Sequence, residues 1–251
     1  MLPHDSIGSG DPAIVFVHGF TQTRSSWRRC AEILANMHRC ILVDAPHHGE
    51  AQSRDLDHAE AARAVGDSAR DCVLVGYSMG GRLALEAALH GNVGLRALVL
   101  VSTTAGIESD VDRERRRGDD ETLASRVESI GTAAFLAEWL AQPLFAQSRR
   151  DPEDFAGRAS NAAESLARSL RRCGAAEQPS SWNELHRLAI PTLVVAGAED
   201  AKFVGLAHRL HEGIAGSELV VIDHAGHSVH LDQPERFAEV LGDFLDRRVK
   251  N

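Results

Sequence analysis

The stretch Val73-Leu74-Val75-Gly76-Tyr77-Ser78-Met79-Gly80-Gly81-Arg82-Leu83-Ala84-Leu85 constrains what this chain can fold into more than any other. A short apolar run enters Gly-Tyr-Ser-Met-Gly, and a helix-forming segment leaves it. A buried strand that turns sharply into a helix accounts for the pattern. Gly76 and Gly80 let the two elements approach where a side chain would clash. The same turn lifts the Ser78 hydroxyl clear of the backbone, within reach of a substrate atom. A glycine-containing strand-to-helix turn with an incidental serine is the simpler alternative, and the rest of the chain has to discriminate.

The chain around this turn alternates. Ala13–Val17 is an apolar run ending at His18-Gly19-Phe20-Thr21, as a strand buried on both faces would. Ser25 or Ser26 can cap a helix running to about Asn36, with Trp27, Ile33 and Leu34 inward. Cys40–Val43 is the next strand, followed by the turn-rich loop Asp44-Ala45-Pro46-His47-His48-Gly49, whose two histidines are expected at the surface. A helix around Ala59–Val65, the strand Cys72–Val75, the helix Met79–His90 and the strand Ala97–Val101 follow. From Ala105 to Leu185 strand-like runs vanish, and helical segments are expected around Glu121–Ile130, Ala133–Leu140 and Ser160–Arg172. Alternation resumes with Pro191–Ala196, a helix near Val204–Gly213, the strand Leu219–Ile222 and a last helix Pro234–Arg248. Strands alternating with helices imply right-handed crossovers and a mostly parallel sheet flanked by helices. The fold class is therefore α/β, with residues 1–104 and 186–251 as core and 105–185 as a helical cap inserted after a sheet strand.

A length of 251 residues and 43% hydrophobic content suit one such domain with its insertion. The formal charge of −9 leaves no dominant basic footprint, which argues against a nucleic-acid or anionic-membrane partner. Met1–Gly10 lacks the basic and apolar regions of a secretory leader, and no run approaches the roughly 18–20 apolar residues of a membrane helix. A cytoplasmic location follows as an expectation, with Cys30, Cys40, Cys72 and Cys173 as reduced packing residues.

A serine hydroxyl needs an imidazole to take its proton, and the imidazole needs a carboxylate to fix its tautomer. After the strand Thr192–Ala196 comes Gly197-Ala198-Glu199-Asp200, and after Leu219–Ile222 comes Asp223-His224-Ala225-Gly226-His227. Both follow carboxyl ends of strands, the edge where open α/β sheets bind ligands. Asp200 is assigned as the carboxylate with Glu199 as competitor, and His227 as the base with His224 as competitor. His224, His227 and His230 are spaced by three, which raises a metal site. One catalytic histidine and two loop histidines explain the spacing without one, so no metal is expected. Arg82 lies one helical turn past Ser78 and can point back toward it. Its planar fork suits a carboxylate, whereas a surface salt bridge is the plainer role.

Ala225-Gly226-His227, followed by Pro234 and an amphipathic helix, resembles the histidine loop of the α/β-hydrolase family, and His18-Gly19-Phe20 resembles its oxyanion loop. The resemblance implies oxyanion donors at the backbone N–H groups of Phe20 and Met79, with His18 as a structural support. Further stretches resemble one subgroup: Arg116 with Asp120-Glu121-x-Leu123-Ala124, Phe135-x-x-x-Trp139-x-x-x-Pro143-Leu144-Phe145, and Arg158-x-Ser160-Asn161. Gln178-Pro179-Ser180-x-Trp182 and Gly197-x-x-Asp200-x-Lys202-Phe203 agree with it. That subgroup comprises the 2-succinyl-6-hydroxy-2,4-cyclohexadiene-1-carboxylate synthases of menaquinone biosynthesis. The resemblance implies a cofactor-free lyase built on hydrolase machinery, acting on a small substrate with several carboxylates. It carries substrate-binding roles onto Tyr77, Arg82, Arg116, Trp139 and Arg158. A carboxylesterase or thioesterase working through an acyl-enzyme on the same three residues is the competing function. The insertion holds 11 arginines and no lysine against 15 acidic residues, so it is not net basic, which counts against an anionic substrate there. The loop Ala45-Pro46-His47-His48-Gly49 departs from the more usual Leu-Pro-Gly-His-Gly. Either a monomer or a homodimer is compatible with the sequence.

Overall fold

The computed structural model describes residues 1–91, 94–145 and 151–249. Among these residues the sheet has seven strands: β1 (His4–Ile7), β2 (Ile14–Val17), β3 (Cys40–Val43), β4 (Val73–Tyr77), β5 (Ala97–Val101), β6 (Thr192–Gly197) and β7 (Glu218–Ile222). They lie in the order β1-β3-β2-β4-β5-β6-β7, all parallel except β1, which runs antiparallel to β3. The helices are α1 (Arg28–Leu34), α2 (His58–Ser68), α3 (Met79–His90), α4 (Asp110–Leu140), α5 (Pro152–Ala159), α6 (Ala163–Cys173), α7 (Ala201–Gly213), α8 (Val229–Asp232) and α9 (Pro234–Arg248). No described helix is long and apolar enough to cross a membrane.

The central strands are apolar throughout because helices cover both faces of the sheet. Val15, Val17, Leu74 and Leu98 pack with Leu83 of α3 and Leu210 of α7 on one face. Ile14, Phe16, Val73 and Val75 pack with Trp27, Phe237 and Leu241 on the other. The alternation within each strand decides which residue goes to which face. The segment between β5 and β6 holds only helices and irregular structure among its described residues, and its Ala124, Val127, Phe135, Leu166 and Leu170 form a small core of their own.

Three elements differ from the sequence reading. His4–Ile7 forms an edge strand that carries no apolar run, because its outer side has no sheet partner and its side chains stay at least partly exposed. The helix expected from Ser25 is split into a 3₁₀ turn at Arg24–Trp27 and the shorter α1. Between β5 and β6, α4 begins at Asp110, capped by Ser109, and runs to Leu140 with a break at Gly131 (φ 78°, ψ 163°) between the two expected segments. The expected Ser160–Arg172 helix is α6, and before it stands α5, capped by Asp151 with Pro152 opening it.

The elbow depends on missing side chains. A Cβ on Gly80 would lie 2.4 and 2.5 Å from the carbonyl oxygens of Val17 and His18, which belong to neighbouring backbone and cannot rotate away. Gly80→Ala is expected to cost about 1–3 kcal/mol through overpacking, read as a lower urea midpoint at unchanged m. Gly205→Ala is the control: its Cβ would meet nothing within 4 Å, so its midpoint should not fall. Equal midpoints for the two variants would refute the steric account.

Candidate active site

Ser78 sits between β4 and α3 at φ 52°, ψ −110°. The turn is held from the neighbouring strand: the Ser78 N–H donates to the Val101 carbonyl at 2.9 Å, and the Thr103 hydroxyl donates to the Ser78 carbonyl at 2.8 Å. His227 lies between β7 and α8, with Nε2 3.1 Å from the Ser78 Oγ. Its Nδ1 is 2.8 Å from Oδ2 of Asp200. A carboxylate oxygen can only accept, so the imidazole carries its proton on Nδ1 and leaves Nε2 free to take the serine proton. Asp200 is fixed in turn because it caps α7, Oδ1 accepting from the Phe203 N–H at 3.2 Å. Asp200 and His227 are buried, whereas their competitors Glu199 and His224 are exposed. Asp44 is tied to Arg24 and the Glu50 N–H away from this chain of bonds, and Asp223 is exposed.

The three histidines spaced by three diverge. His224 faces solvent, His227 faces Ser78, and His230 is buried with its ring stacked on Trp27 at 4.1 Å. The loop histidines expected at the surface are also buried. His48 meets the Phe20 ring edge-on at 5.9 Å, and His47 bonds the Leu56 carbonyl at 2.9 Å. The loop after β3 is thus packed inward at both histidines, which no periodicity in a six-residue loop could reveal.

His18 links this loop to the one after β2. Its Nδ1–H donates to the Gly19 carbonyl at 2.8 Å, and its Nε2 accepts the Ala45 N–H at 3.0 Å. Burial pushes its pKa down to about 4, so the ring is neutral and fixed in that tautomer. The Gly19 N–H donates to Oε1 of Gln22 at 3.0 Å. Phe20 and Met79 both line the cavity beside Ser78, and neither backbone N–H makes a hydrogen bond to another described residue.

That cavity has a volume of about 590 Å³, within the range of small-molecule sites. Arg82, Arg116, Arg158 and Lys202 line it, with Tyr77 and Trp139. Arg82 is not in a surface salt bridge. It is buried, and Nη1 and Nη2 donate to the Gly174 and Cys173 carbonyls at 3.0 Å each, the orphaned carbonyls ending α6. Its other N–H groups make no hydrogen bond among the described residues. Burial, with Arg116 nearby, lowers its pKa to about 10, and it stays cationic at neutral pH.

Of the run from Arg113 to Arg117, only Arg116 lines this cavity. Its Nε holds Asp120 at 2.8 Å, while Arg113 and Arg115 pair with Asp110 and Asp112, and Arg117 with Glu114 and Glu177. Arg158 is buried, its Nε bonded to Asp154 at 2.6 Å and its Nη1 donating to the Thr21 hydroxyl. Trp139 lies edge-on to Phe20 at 5.2 Å, and its buried Nε1–H has no partner among the described residues. The Tyr77 hydroxyl bonds Ser228 at 3.0 Å, and its ring packs on His227 at 5.3 Å. Lys202 and Asp119 also line the cavity and were not among the sequence candidates. Lys202 had a signal, since it sits in the first turn of α7 two residues past Asp200.

Residues 14–240 match the alpha/beta hydrolase family. A protein of Bacillus subtilis (strain 168) is 34% identical over 247 residues, covering 93% of this chain and 90% of its own. The 2-succinyl-6-hydroxy-2,4-cyclohexadiene-1-carboxylate synthase of Serratia proteamaculans (strain 568) is 31% identical over 247 residues, 93% of each chain. Among solved structures, MenH from S. aureus superposes with a TM-score of 0.92 at 28% identity, covering 98% of this chain and 99% of that one. The chain belongs to the alpha/beta hydrolase family and, within it, to the group of the 2-succinyl-6-hydroxy-2,4-cyclohexadiene-1-carboxylate synthases.

Proposed function

We propose that the chain is a cofactor-free, cytoplasmic lyase of menaquinone biosynthesis. It eliminates pyruvate from 2-succinyl-5-enolpyruvyl-6-hydroxy-3-cyclohexene-1-carboxylate, leaving 2-succinyl-6-hydroxy-2,4-cyclohexadiene-1-carboxylate. One observation carries the reading: the Ser78–His227–Asp200 chain of hydrogen bonds opens into a cavity lined by Arg82, Arg116 and Arg158. An ester hydrolase needs no such set of cations, whereas a substrate with several carboxylates does.

In this reading Ser78 and His227 together take the ring proton next to the succinyl carbonyl. The electron pair moves through the ring double bond, the ring–oxygen bond breaks, and the enolpyruvyl group leaves with that pair to become pyruvate after protonation. Negative charge gathers on the succinyl carbonyl oxygen on the way. The Phe20 and Met79 N–H groups are the donors proposed to meet it, a role preorganised dipoles fill without reorganising. Asp200 holds the imidazole in its tautomer and stabilises the imidazolium. Ser78 serves as a proton relay, and no acyl-enzyme forms. Tyr77 and Trp139 form the wall against which the ring packs, with the Trp139 Nε1–H available to an anionic group. Residues 105–185 act as a cap over a core of residues 1–104 and 186–251.

Arg82 provides the test. Arg82→Ala should raise KM for pyruvate release by roughly 10²-fold or more, the effect of removing one partner of a buried charged contact, with a smaller loss in kcat. The same truncation frees two α6 carbonyls, so a thermal melt should accompany the kinetics. Unchanged KM and kcat in a folded variant would remove the carboxylate clamp from the account.

A further inference from the structure

The loop that carries the Phe20 N–H is built on a residue ill suited to its conformation. Thr21 has φ 68°, a left-handed backbone that a β-branched residue takes up only when its surroundings hold it there. The neighbouring strands do not supply the hold. Asn161 Nδ2 donates to the Thr21 carbonyl at 2.8 Å, and Arg158 Nη1 donates to the Thr21 hydroxyl. Both partners stand at the turn ending α5, in the inserted segment, and all three residues are buried.

Asn161 is tied on its other sides as well. Its Oδ1 accepts the Gly49 N–H of the loop after β3 at 2.8 Å, Nδ2 also reaches the Arg158 carbonyl at 3.1 Å, and its own carbonyl accepts from the Thr132 hydroxyl at 2.8 Å. Thr132 directly follows the break in α4 at Gly131. The side chain thus has its amide hydrogens and its oxygen committed to three separate segments, which also fixes which way the amide points. The contact is close because α5 presents Gly157 to the loop: a Cβ there would lie 2.4 and 2.5 Å from the hydroxyl oxygens of Ser25 and Thr23.

We propose that Asn161 is a positioning residue, holding Thr21 in its left-handed turn and thereby placing the Phe20 N–H for the charge that develops in the reaction. The inserted segment then does more than wall the pocket, because it sets the geometry of one oxyanion donor from outside the sheet. This rests on the reading of the Phe20 N–H as an oxyanion donor.

The test uses the full-length protein and pyruvate release. Asn161→Ala, and the isosteric Asn161→Asp that keeps the acceptor for Gly49 but loses the donor to Thr21, should each lower kcat by about 10²-fold, the scale of an ångström-level misplacement. KM should change by less than about threefold, since a misplaced donor affects the transition state more than the bound substrate. Thr21→Gly, which needs no holder at positive φ, should restore about tenfold of the lost kcat in the Asn161→Ala background. A kcat within about threefold of the wild type for both Asn161 variants would overturn the proposal. So would a loss shared with KM that Thr21→Gly does not recover, which is what simple loosening of α5 would give. Replacing the Phe20 N–H by an ester oxygen separates the underlying reading from the coupling. That change should cost about 10²–10³-fold in kcat, as losing an oxyanion donor does. An active ester-backbone protein would refute the oxyanion reading and the proposal with it. A crippled one beside unimpaired Asn161 variants would refute the coupling alone.

Discussion

His227→Ala is expected to lower kcat for pyruvate release by about 10²–10⁴-fold, the range a positioned general base contributes, with KM nearly unchanged. Among the described residues, the imidazole is the group hydrogen-bonded to the Ser78 hydroxyl: Nε2 lies 3.1 Å from it while Nδ1 is held by Asp200 at 2.8 Å. Alanine removes the acceptor and leaves Asp200 without its partner, but the arginines lining the cavity are untouched. Binding should therefore survive where turnover does not. His224→Ala is the matched control, because His224 is exposed and its carbonyl, rather than its ring, takes part in a hydrogen bond with Gln233. Steady-state kinetics on both variants decide the matter. A His227→Ala enzyme within tenfold of the wild type, or a His224→Ala enzyme equally impaired, would move the base elsewhere.

Acid should unfold the protein well above the pH at which most carboxylates protonate. His18, His48, His58 and His230 are buried, and burial is the main cause that lowers the pKa of each. Nearby charge adds to it, Arg158 at His18 and His230 and Arg82 at His58, the last opposed by Asp57. His18 is lowered to about 4 and His58 to about 3, from 6.5. Below about pH 6.5 the unfolded chain binds protons that the folded chain refuses, so stability falls with pH until the folded-state values are reached. His18 and His58, lowered to about 4 and about 3, each cost roughly 3 kcal/mol over that interval, against a total of about 5–15 kcal/mol for a typical domain; His48 and His230 act in the same direction. Urea midpoints should fall steeply from pH 6.5 to about 4, with a cooperative acid transition inside that window. His58 gives the finer test, since neither ring nitrogen has a partner among the described residues. His58→Leu should raise the urea midpoint more at pH 5 than at pH 7. A flat midpoint from pH 7 to 4.5 would show that these rings accept protons without unfolding the chain.

Much of this architecture was legible in the sequence, for reasons that residues make plain. The central strands are buried on both faces, so each appears as an uninterrupted apolar run, and the Gly76-x-Ser78-x-Gly80 turn announces its own geometry. The pairing of Asp200 with His227 could be expected because each follows a strand by only a few residues. The edge strand β1 was invisible since its polar His4-Asp5-Ser6 makes backbone contacts but packs little. Likewise α5 has few apolar residues, and its start rests on Asp151 and Pro152 alone. The phase of α4 decides which of Arg113, Arg115, Arg116 and Arg117 turns toward the cavity, and four closely spaced charges give no phase. The burial of His47 and His48 and the hold of Asn161 on Thr21 come from contacts between segments far apart in the chain. Such contacts leave no local trace.

The most direct measurement gives the purified protein 2-succinyl-5-enolpyruvyl-6-hydroxy-3-cyclohexene-1-carboxylate and follows pyruvate, beside hydrolysis of a short p-nitrophenyl ester. Rapid pyruvate release with feeble ester turnover is the result predicted for a cavity lined by Arg82, Arg116 and Arg158 above Ser78. Robust ester hydrolysis with no pyruvate would contradict it, and would make the same Ser78–His227–Asp200 chain the machinery of an ordinary serine hydrolase.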